Sequence, residues 1–236
     1  MADIRLVEVA RAYKQLSHQT AALNWLNEQI PSATLAEFAQ MWRADPPPKP
    51  EASPSPGKVA TDSVLLKVPY EYQHDNGPTG YRECFSSSCA MVARFYGRCQ
   101  SDDEYNRIRA RFGDTTDSGA QLRALCSLGL QAQFKQNGSA ETLEQLIRAG
   151  RPVPVGWLHR GHVSAPSGGG HWSVVVGFTP QAFIHNDPNG EAALVEGGYV
   201  STSAKAGREI AYSRRNFLRR WEADGRGSGW YLDVRP

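Results

Sequence analysis

The chain has 236 residues, of which 40% are hydrophobic, and its formal net charge at pH 7 is +2. This length and hydrophobic content suit one large domain, or a medium domain with a small one, with enough material for a buried core. The near-balanced charge argues against a nucleic-acid-binding protein, because binding to phosphates usually requires a strong basic excess.

The chain contains four cysteines, at positions 84, 89, 99 and 126. They are too few for a disulfide-stabilised scaffold in a chain of this length. None belongs to a CxxC pair, so we do not expect a structural zinc site, and no pattern calls for a cofactor. We interpret the four as reduced, mostly buried thiols, with Cys84 as the exception.

The N-terminal sequence MADIRLVEVARAYKQL lacks the apolar stretch of a signal peptide. No apolar run approaches the roughly 18 residues that a membrane-spanning helix requires. We therefore expect a protein that is made in the cytosol and does not insert into a membrane. If its target lies outside the membrane, another protein must deliver it there.

A proline-rich segment divides the chain. Residues 46–57 (PPPKPEASPSPG) contain six prolines, a composition that favours extended, semi-rigid backbone over helix or sheet. We predict a small module over residues 1–45, a linker over 46–60 and a larger domain over 61–236. Apolar spacing in the first module predicts three short helices, whose core is marginal without contacts to a partner or to the linker. Such a bundle has either a binding role or no function of its own.

Apolar patterning in the larger domain predicts helices first and strands later. Val64, Leu66 and Val68 alternate with polar residues and indicate a strand. The segment SSSCAMVARFY at 86–96 predicts a buried helix that ends at Gly97. This order of elements is typical of an α+β domain. The other predicted helices cover 103–112, 118–130 and 140–149, and the other predicted strands cover 153–158, 172–178, 182–186 and 230–234.

Cys84 lies immediately before the predicted helix SSSCAMVARFY. Thiol catalysis requires a thiolate, a histidine that exchanges protons, a group that fixes the histidine, and donors to an oxyanion. The free N–H groups and the dipole at a helix N-terminus favour an anion. Among the four cysteines only Cys84 has this position, which makes it the candidate nucleophile. The alternative is that Cys84, like most single cysteines, is a small buried apolar group.

His171 is the candidate general base. It follows the flexible run SGGG and opens the strand WSVVVGF, so the ring can face a cleft while the strand fixes its backbone. His159 and His162 lie in a polar stretch that we interpret as a loop. His185 shares a strand face with Asp187 and is a weaker alternative.

Asp187 follows the second strand of a predicted hairpin. A short turn near TPQ joins the strands at 172–178 and 182–186, so they should pair antiparallel. The hairpin would return Asp187 beside His171, where a carboxylate can hold an imidazole toward a thiol. The alternative is purely structural, because Asp-Pro followed by Asn-Gly is a common turn signature.

Two further residues are candidates for the same site. Gln73 lies eleven residues before Cys84, and a glutamine amide near a thiol can donate to an oxyanion together with the backbone N–H of the nucleophile. Trp172, next to His171, is a candidate for lining the substrate cleft. A metal-dependent hydrolase is a weaker alternative, because no HExxH-like spacing is present. The ligand types available to a metal are His162, His171, His185 and Asp187.

Four ordered segments resemble the bacteriocin-processing, or double-glycine leader, peptidases and their relatives in the papain-like group. These segments are VPYEYQ, ECFSSSCAMVARFYG, GGHWSVVVGF and FIHNDPNGE, and they span about residues 64–190. The resemblance implies a papain-like cysteine peptidase domain, in which a helix carrying the cysteine packs on an antiparallel sheet. The roles that it implies are nucleophile for Cys84, base for His171, orienting group for Asp187 and oxyanion donor for Gln73.

The chain departs from that family at Phe85-Ser86, where the family usually has Gly-Pro. Ala90 and Met91 keep the family's spacing from the cysteine. The resemblance therefore still implies Cys84 as the nucleophile.

The layout of the whole chain resembles phage-encoded cell-wall lysins, including those of cyanophages. Such lysins combine a holding module with a cutting module, as residues 1–45 and 61–236 would. The resemblance implies an endopeptidase that cuts the peptide part of bacterial peptidoglycan and stays in the host cytoplasm until a holin releases it. The alternatives are a cytosolic peptidase that processes a leader or a protein precursor, and an inactive papain-like binding module.

We expect a monomer, and we expect most tryptophan and tyrosine side chains to lie in the core. The basic run SRRNFLRRW is interpreted as a solvated helix face. A contact between this run and an anionic wall polymer is the alternative.

Overall fold

The structure is a computed structural model that describes residues 63–236. The predicted helical module over residues 1–45 and the predicted linker over 46–60 lie outside the described residues and stay predictions. The helices found between residues 63 and 236 are too short or too polar to span a lipid bilayer.

The described chain begins with a short strand, two 3-10 helices and three α-helices, and most of its strands follow. The 3-10 helices cover Gln73–Asp75 and Gly77–Arg82. The α-helices are α1 (Cys84–Phe95), α2 (Asp102–Arg109), α3 (Ser118–Ser127), α4 (Ala140–Arg148) and α5 (Arg214–Trp221). The strands are β1 (Val64–Leu65), β2 (Gln131–Gly138), β3 (Val153–Trp157), β4 (His171–Phe178), β5 (Ala182–Asn186), β6 (Glu191–Ala192), β7 (Tyr199–Ser201), β8 (Ile210–Ser213) and β9 (Gly229–Arg235).

One antiparallel sheet organises the described residues. Its strands lie in the order β2-β9-β3-β4-β5-β8, and β1 pairs with the far end of β4. Strands β6 and β7 form a separate antiparallel pair between β5 and β8 in the chain. The α+β prediction is confirmed, and so is the predicted packing of a cysteine-bearing helix on an antiparallel sheet.

Helices cover both faces of the sheet. Met91 of α1 shares one buried cluster with Val174 and Val176 of β4. Ile147 of α4 belongs to the cluster on the other face, together with Val175. Successive side chains of a strand point to opposite faces, so β4 must be apolar on both of its faces. This double burial explains the uninterrupted apolar run WSVVVGF.

The helix boundaries follow local capping chemistry. Ser101, Asp117 and Ser139 each accept a hydrogen bond from a first-turn backbone N–H, at the starts of α2, α3 and α4. Helix α3 ends three residues before the predicted limit of 130. Gly129 adopts a φ of 78°, a left-handed conformation that glycine accepts without a steric penalty and that closes a helix.

The interpretation of SRRNFLRRW as a solvated helix face is wrong for α5. Phe217, Arg220 and Trp221 are buried, and only part of the run faces solvent. Phe217 and Trp221 belong to the apolar cluster that also contains Ile147 of α4. The Arg220 guanidinium is buried because backbone carbonyl groups surround it and accept its hydrogen bonds. The acceptors are the carbonyl oxygens of Leu194 (2.7 Å), Gly161 (2.8 Å), Leu158 (3.0 Å), Arg160 (3.1 Å) and Val195 (3.4 Å).

We expect Arg220→Met to lower the free energy of unfolding by about 3 kcal/mol, because it leaves buried carbonyl groups without a donor. Urea denaturation followed by circular dichroism measures the change. Arg219→Met is the matched control, since Arg219 is exposed on the same helix, and its effect should stay below about 0.5 kcal/mol. Equal effects of the two substitutions would contradict a structural role for the buried guanidinium.

Candidate active site

Cys84 is the first residue of α1, two residues before the predicted start of that helix. Glu83 precedes it at the N-cap, and no side chain caps the first turn. The first N–H groups of the helix therefore have no side-chain acceptor, as an anion site at a helix N-terminus requires.

The four cysteines are all free, and they differ in exposure. Cys84 is partly exposed, whereas Cys126 is exposed on α3. Burial raises the pKa of the Cys89 thiol far above its ordinary value, and it raises the pKa of Cys99 to about 11. The two buried thiols are thereby unsuited to forming a thiolate at neutral pH.

The hairpin of β4 and β5 brings His171 and Asp187 together. The two strands pair antiparallel with Val174 opposite Asn186, and a tight turn after β4 joins them. The hairpin prediction is thus confirmed. His171 opens β4 and Asp187 directly follows β5, and the distance from His171 Nε2 to Asp187 Oδ1 is 2.8 Å. Both side chains are buried, at 4% and 0% exposure.

The Cys84 side chain lies on the other side of the His171 ring, close enough to favour a proton on it. Since Nε2 binds Asp187, Nδ1 is the nitrogen available to the thiol. Burial disfavours a charged ring, but the Asp187 charge and the hydrogen bonds with Asp187 and Cys84 outweigh it. Together they raise the pKa of His171 from 6.5 to about 10.

Asp187 is held by several hydrogen bonds besides that of His171. The Tyr212 hydroxyl donates to Oδ2 at 3.0 Å, and the Asn189 backbone N–H donates to Oδ1 at 3.0 Å. The Tyr70 hydroxyl donates to the Asp187 carbonyl oxygen at 3.0 Å. These contacts fix Asp187 in one orientation, and neither tyrosine contact was predicted from the sequence.

Gln73 is buried, and its side chain points to a neighbouring loop. Its Nε2 donates to the Gly80 carbonyl oxygen at 3.0 Å, and its backbone N–H donates to the Pro188 carbonyl oxygen, next to Asp187. Within residues 63–236, no hydrogen bond joins the Gln73 side chain to Cys84. One amide hydrogen remains for another acceptor, so the predicted oxyanion role stays a prediction.

Trp172 stacks on Phe85, the residue after Cys84. The ring centroids are 3.7 Å apart and the planes differ by 4°. A cleft of about 310 Å³ lies beside this stack, and Gly170 and Trp172, the two neighbours of His171, both line it. The Phe85 ring thereby ties the start of α1 to β4.

The remaining histidines have other surroundings. His185 is completely buried, its Nδ1 lies 3.0 Å from Ser173 Oγ, and burial lowers its pKa to about 3. His159 lies in a loop, as predicted, and its ring packs against His171 with centroids 5.6 Å apart. Burial and the nearby His171 lower the pKa of His159 to about 4. Both rings are therefore neutral at pH 7.

The weaker prediction of a metal-dependent hydrolase finds no matching geometry in residues 63–236. No group of three or more His, Cys, Asp or Glu side chains there is placed to hold a metal ion. His162 is exposed and its ring bonds to Ser164. It does not share the buried environment of His171 and Asp187.

A comparison with protein-family models matches the Peptidase_C39 like family over residues 65–228. The chain belongs to this family. It is a family of cysteine peptidases, so the chain is classed among the hydrolases. The C39-like match contains every candidate residue of the site. A comparison with curated proteins finds no match.

Solved structures resemble the C39-like chain as well. A protein described as a C39-like peptidase, from Bacillus anthracis, is 18% identical with a TM-score of 0.50, and the alignment covers 74% of this chain and 98% of that one. A double glycine motif protease from an AMS/PCAT transporter, in complex with the leader peptide, is 20% identical with a TM-score of 0.47, covering 73% and 94%. At such identity the first likeness shows the fold alone.

The raised pKa of His171 predicts a pH-dependent contribution to stability. The ordinary pKa of 6.5 applies to the unfolded chain and about 10 to the folded one, so the folded state binds the proton more tightly. The contribution is complete below about pH 6.5 and is lost as the pH rises through about 10. We expect the difference in unfolding free energy between the wild type and His171→Gln to shrink from about pH 6 to about pH 10.5.

Urea denaturation at the two pH values measures this difference. His162→Gln is the matched control, because His162 is exposed and lies outside the site. A difference that stays constant or grows with pH would contradict a proton held on His171 by Asp187.

Proposed function

We propose that the chain hydrolyses peptide bonds with Cys84 as nucleophile, His171 as proton carrier and Asp187 as the group that orients His171. The observation that carries the proposal is a single imidazole held between a buried carboxylate, at 2.8 Å, and a thiol at a helix N-terminus. These are the parts that thiol catalysis needs.

The reaction in this proposal has two stages. His171 takes the proton of the Cys84 thiol, and the sulfur attacks the carbonyl carbon. The oxyanion receives hydrogen bonds from the Cys84 backbone N–H and the Gln73 amide. His171 then gives its proton to the leaving amine, and a thioester remains on Cys84. Water, deprotonated by His171, hydrolyses the thioester and restores the thiol. Trp172 lines the cleft where the substrate approaches.

For the substrate, we propose the peptide part of bacterial peptidoglycan, cut by an endolysin-type enzyme of a phage. The support is the chain layout, with a predicted helical module over residues 1–45, a predicted linker over 46–60 and the C39-like domain. In this proposal the first module binds the cell wall. The enzyme accumulates in the host cytoplasm until lysis and acts as a monomer on the wall.

Purified peptidoglycan distinguishes the candidate substrates. The full-length protein is incubated with sacculi from Gram-negative cells, and the soluble products are analysed by mass spectrometry. Released stem-peptide or cross-link fragments are expected, with none from the Cys84→Ala variant. Intact sacculi, together with cleavage of peptides that carry a double-glycine motif, would instead establish a leader-processing peptidase. Intact sacculi and intact peptides would favour an inactive binding module.

A further inference from the structure

A buried carboxylate lies directly before the candidate nucleophile. Glu83 precedes Cys84 in the chain and is 5% exposed. The Thr115 hydroxyl donates to Glu83 Oε2 at 2.6 Å, and an Arg109 NH2 group lies 3.4 Å from the same oxygen. An uncompensated negative charge at this position would disfavour a thiolate on Cys84, because like charges in a buried site repel.

Arg109 supplies the compensating charge and is fixed in place. It lies at the end of α2, and its side chain is 10% exposed. Its Nε donates to Ser86 Oγ at 3.1 Å and one terminal nitrogen donates to the Gly113 carbonyl oxygen at 2.9 Å. The guanidinium thereby contacts Glu83, just before Cys84, and Ser86, two residues after it.

A second layer of buried polar groups holds this arrangement. Gln121 Nε2 donates to Ser86 Oγ at 2.8 Å and to the Thr115 carbonyl oxygen at 2.7 Å. The Tyr105 hydroxyl donates to Gln121 Oε1 at 2.8 Å. The Ser86 hydroxyl oxygen accepts hydrogen bonds from both Arg109 and Gln121. Such a closed network fixes its members' positions.

Other charged or titratable groups lie near Cys84 and near Arg109. His171, with Asp187 behind it, and Tyr199 of β7 interact with Cys84 from the sheet side, and the buried Cys89 interacts with it from within α1. Asp114 lies near Arg109 on the outer side, and its pKa is lowered by hydrogen bonds from Thr116 and by Arg82 and Arg109. Asp114 is exposed and bound to Arg82 at 2.8 Å, so Glu83 is the buried carboxylate that Arg109 contacts.

We propose that the ion pair between Arg109 and Glu83 sets the pH at which Cys84 becomes nucleophilic. Arg109 is then a positioning residue that acts through Glu83 and the first turn of α1. This inference rests on the proposed role of Cys84 as nucleophile.

The pH dependence of alkylation by iodoacetamide tests the proposal without a peptide substrate. In this reaction the Cys84 thiolate forms a bond to the reagent's methylene carbon and iodide leaves, so the rate follows the thiolate fraction. Full-length protein is labelled over a range of pH, and peptide mapping by mass spectrometry separates Cys84 from the exposed Cys126. The variants are Arg109→Met, Glu83→Gln and the double variant.

We expect Arg109→Met to move the midpoint of Cys84 labelling upward by roughly one pH unit, which is about tenfold slower labelling below the midpoint. Glu83→Gln should move the midpoint downward, and the double variant should return close to the wild type. Glu83→Gln tests the proposal even if Arg109→Met does not fold, because glutamine has the same shape as glutamate and retains an acceptor for Thr115. Circular dichroism checks the fold of each variant.

An unmoved midpoint in Glu83→Gln, or a double variant that behaves like Arg109→Met alone, would overturn the proposal and assign the network a purely structural role. Failure of the proposed function has a different signature. In that case wild-type Cys84 would label no faster than Cys126 at any pH, whatever the variants do.

Discussion

Replacing Cys84 with alanine is expected to lower kcat/KM for peptide hydrolysis by at least about 10³-fold, since the covalent stage of the reaction is lost. The partners cannot substitute for the sulfur. His171 is bound to Asp187, and the other described thiols are either buried or exposed elsewhere. Release of soluble fragments from sacculi, followed over time at several substrate concentrations, measures the loss.

Cys126→Ala is the matched control for this prediction. Cys126 is a free and exposed thiol on α3, so its removal should leave kcat/KM within about twofold of the wild type. Circular dichroism verifies that both variants are folded. If Cys84→Ala retained wild-type activity, the chain would cut by another mechanism and the assignment of the nucleophile would be wrong.

The second large effect is expected for Asp187→Asn, with a loss of roughly 10² to 10⁴-fold in kcat. The carboxamide has no charge to stabilise the protonated ring of His171, and its NH₂ group competes as a donor toward Nε2. The shape of the buried site is preserved, so KM should change much less than kcat. Steady-state kinetics of the purified variant separates the two parameters.

Tyr212→Phe provides the comparison for Asp187→Asn. It removes the hydroxyl that donates to Asp187 Oδ2 at 3.0 Å but keeps the carboxylate and its bond to His171. A loss of about tenfold or less is expected for an indirect contact of this kind. If Asp187→Asn were as active as the wild type, Asp187 would be only a turn residue, which was the alternative interpretation of its sequence.

The parts of the fold that local patterns specify could be predicted from the sequence. The hairpin of β4 and β5 is one example, because two apolar strands joined by a short turn can pair in only one register that buries their faces. That register determined the proximity of His171 and Asp187. Cys84 was recognisable because a polar, serine-rich start and an apolar run define one helix N-terminus.

Elements whose stability comes from distant partners could not be predicted. Strand β2 (QAQFKQNG) is a polar edge strand that pairs with β9, almost a hundred residues later, so it lacks a strong apolar alternation. Strand β8 is a short strand at the other edge of the sheet and has no strong apolar alternation, so it was not predicted either. The hydrogen bond from Tyr212 of this strand to Asp187 was therefore not predicted. The buried guanidinium of Arg220 looks like a surface charge in the sequence, because its acceptors are backbone carbonyls of other loops.

The contact between Arg109 and Glu83 could not be predicted from the sequence either. The two residues are separated by 26 positions, and either charge alone is typical of a solvated helix end. The roles of Phe85 and Ser86 also depend on contacts with residues that are distant in the sequence. Phe85 stacks on Trp172, and Ser86 receives hydrogen bonds from two other helices.

The most direct test of the proposed mechanism is to follow peptidase activity and the modification of Cys84 in the same samples during limited alkylation. The expected result is that activity falls in proportion to the fraction of Cys84 modified and reaches zero while Cys126 is still largely free. Activity that persists with Cys84 completely modified, or that declines in step with Cys126 instead, would contradict catalysis by Cys84, His171 and Asp187.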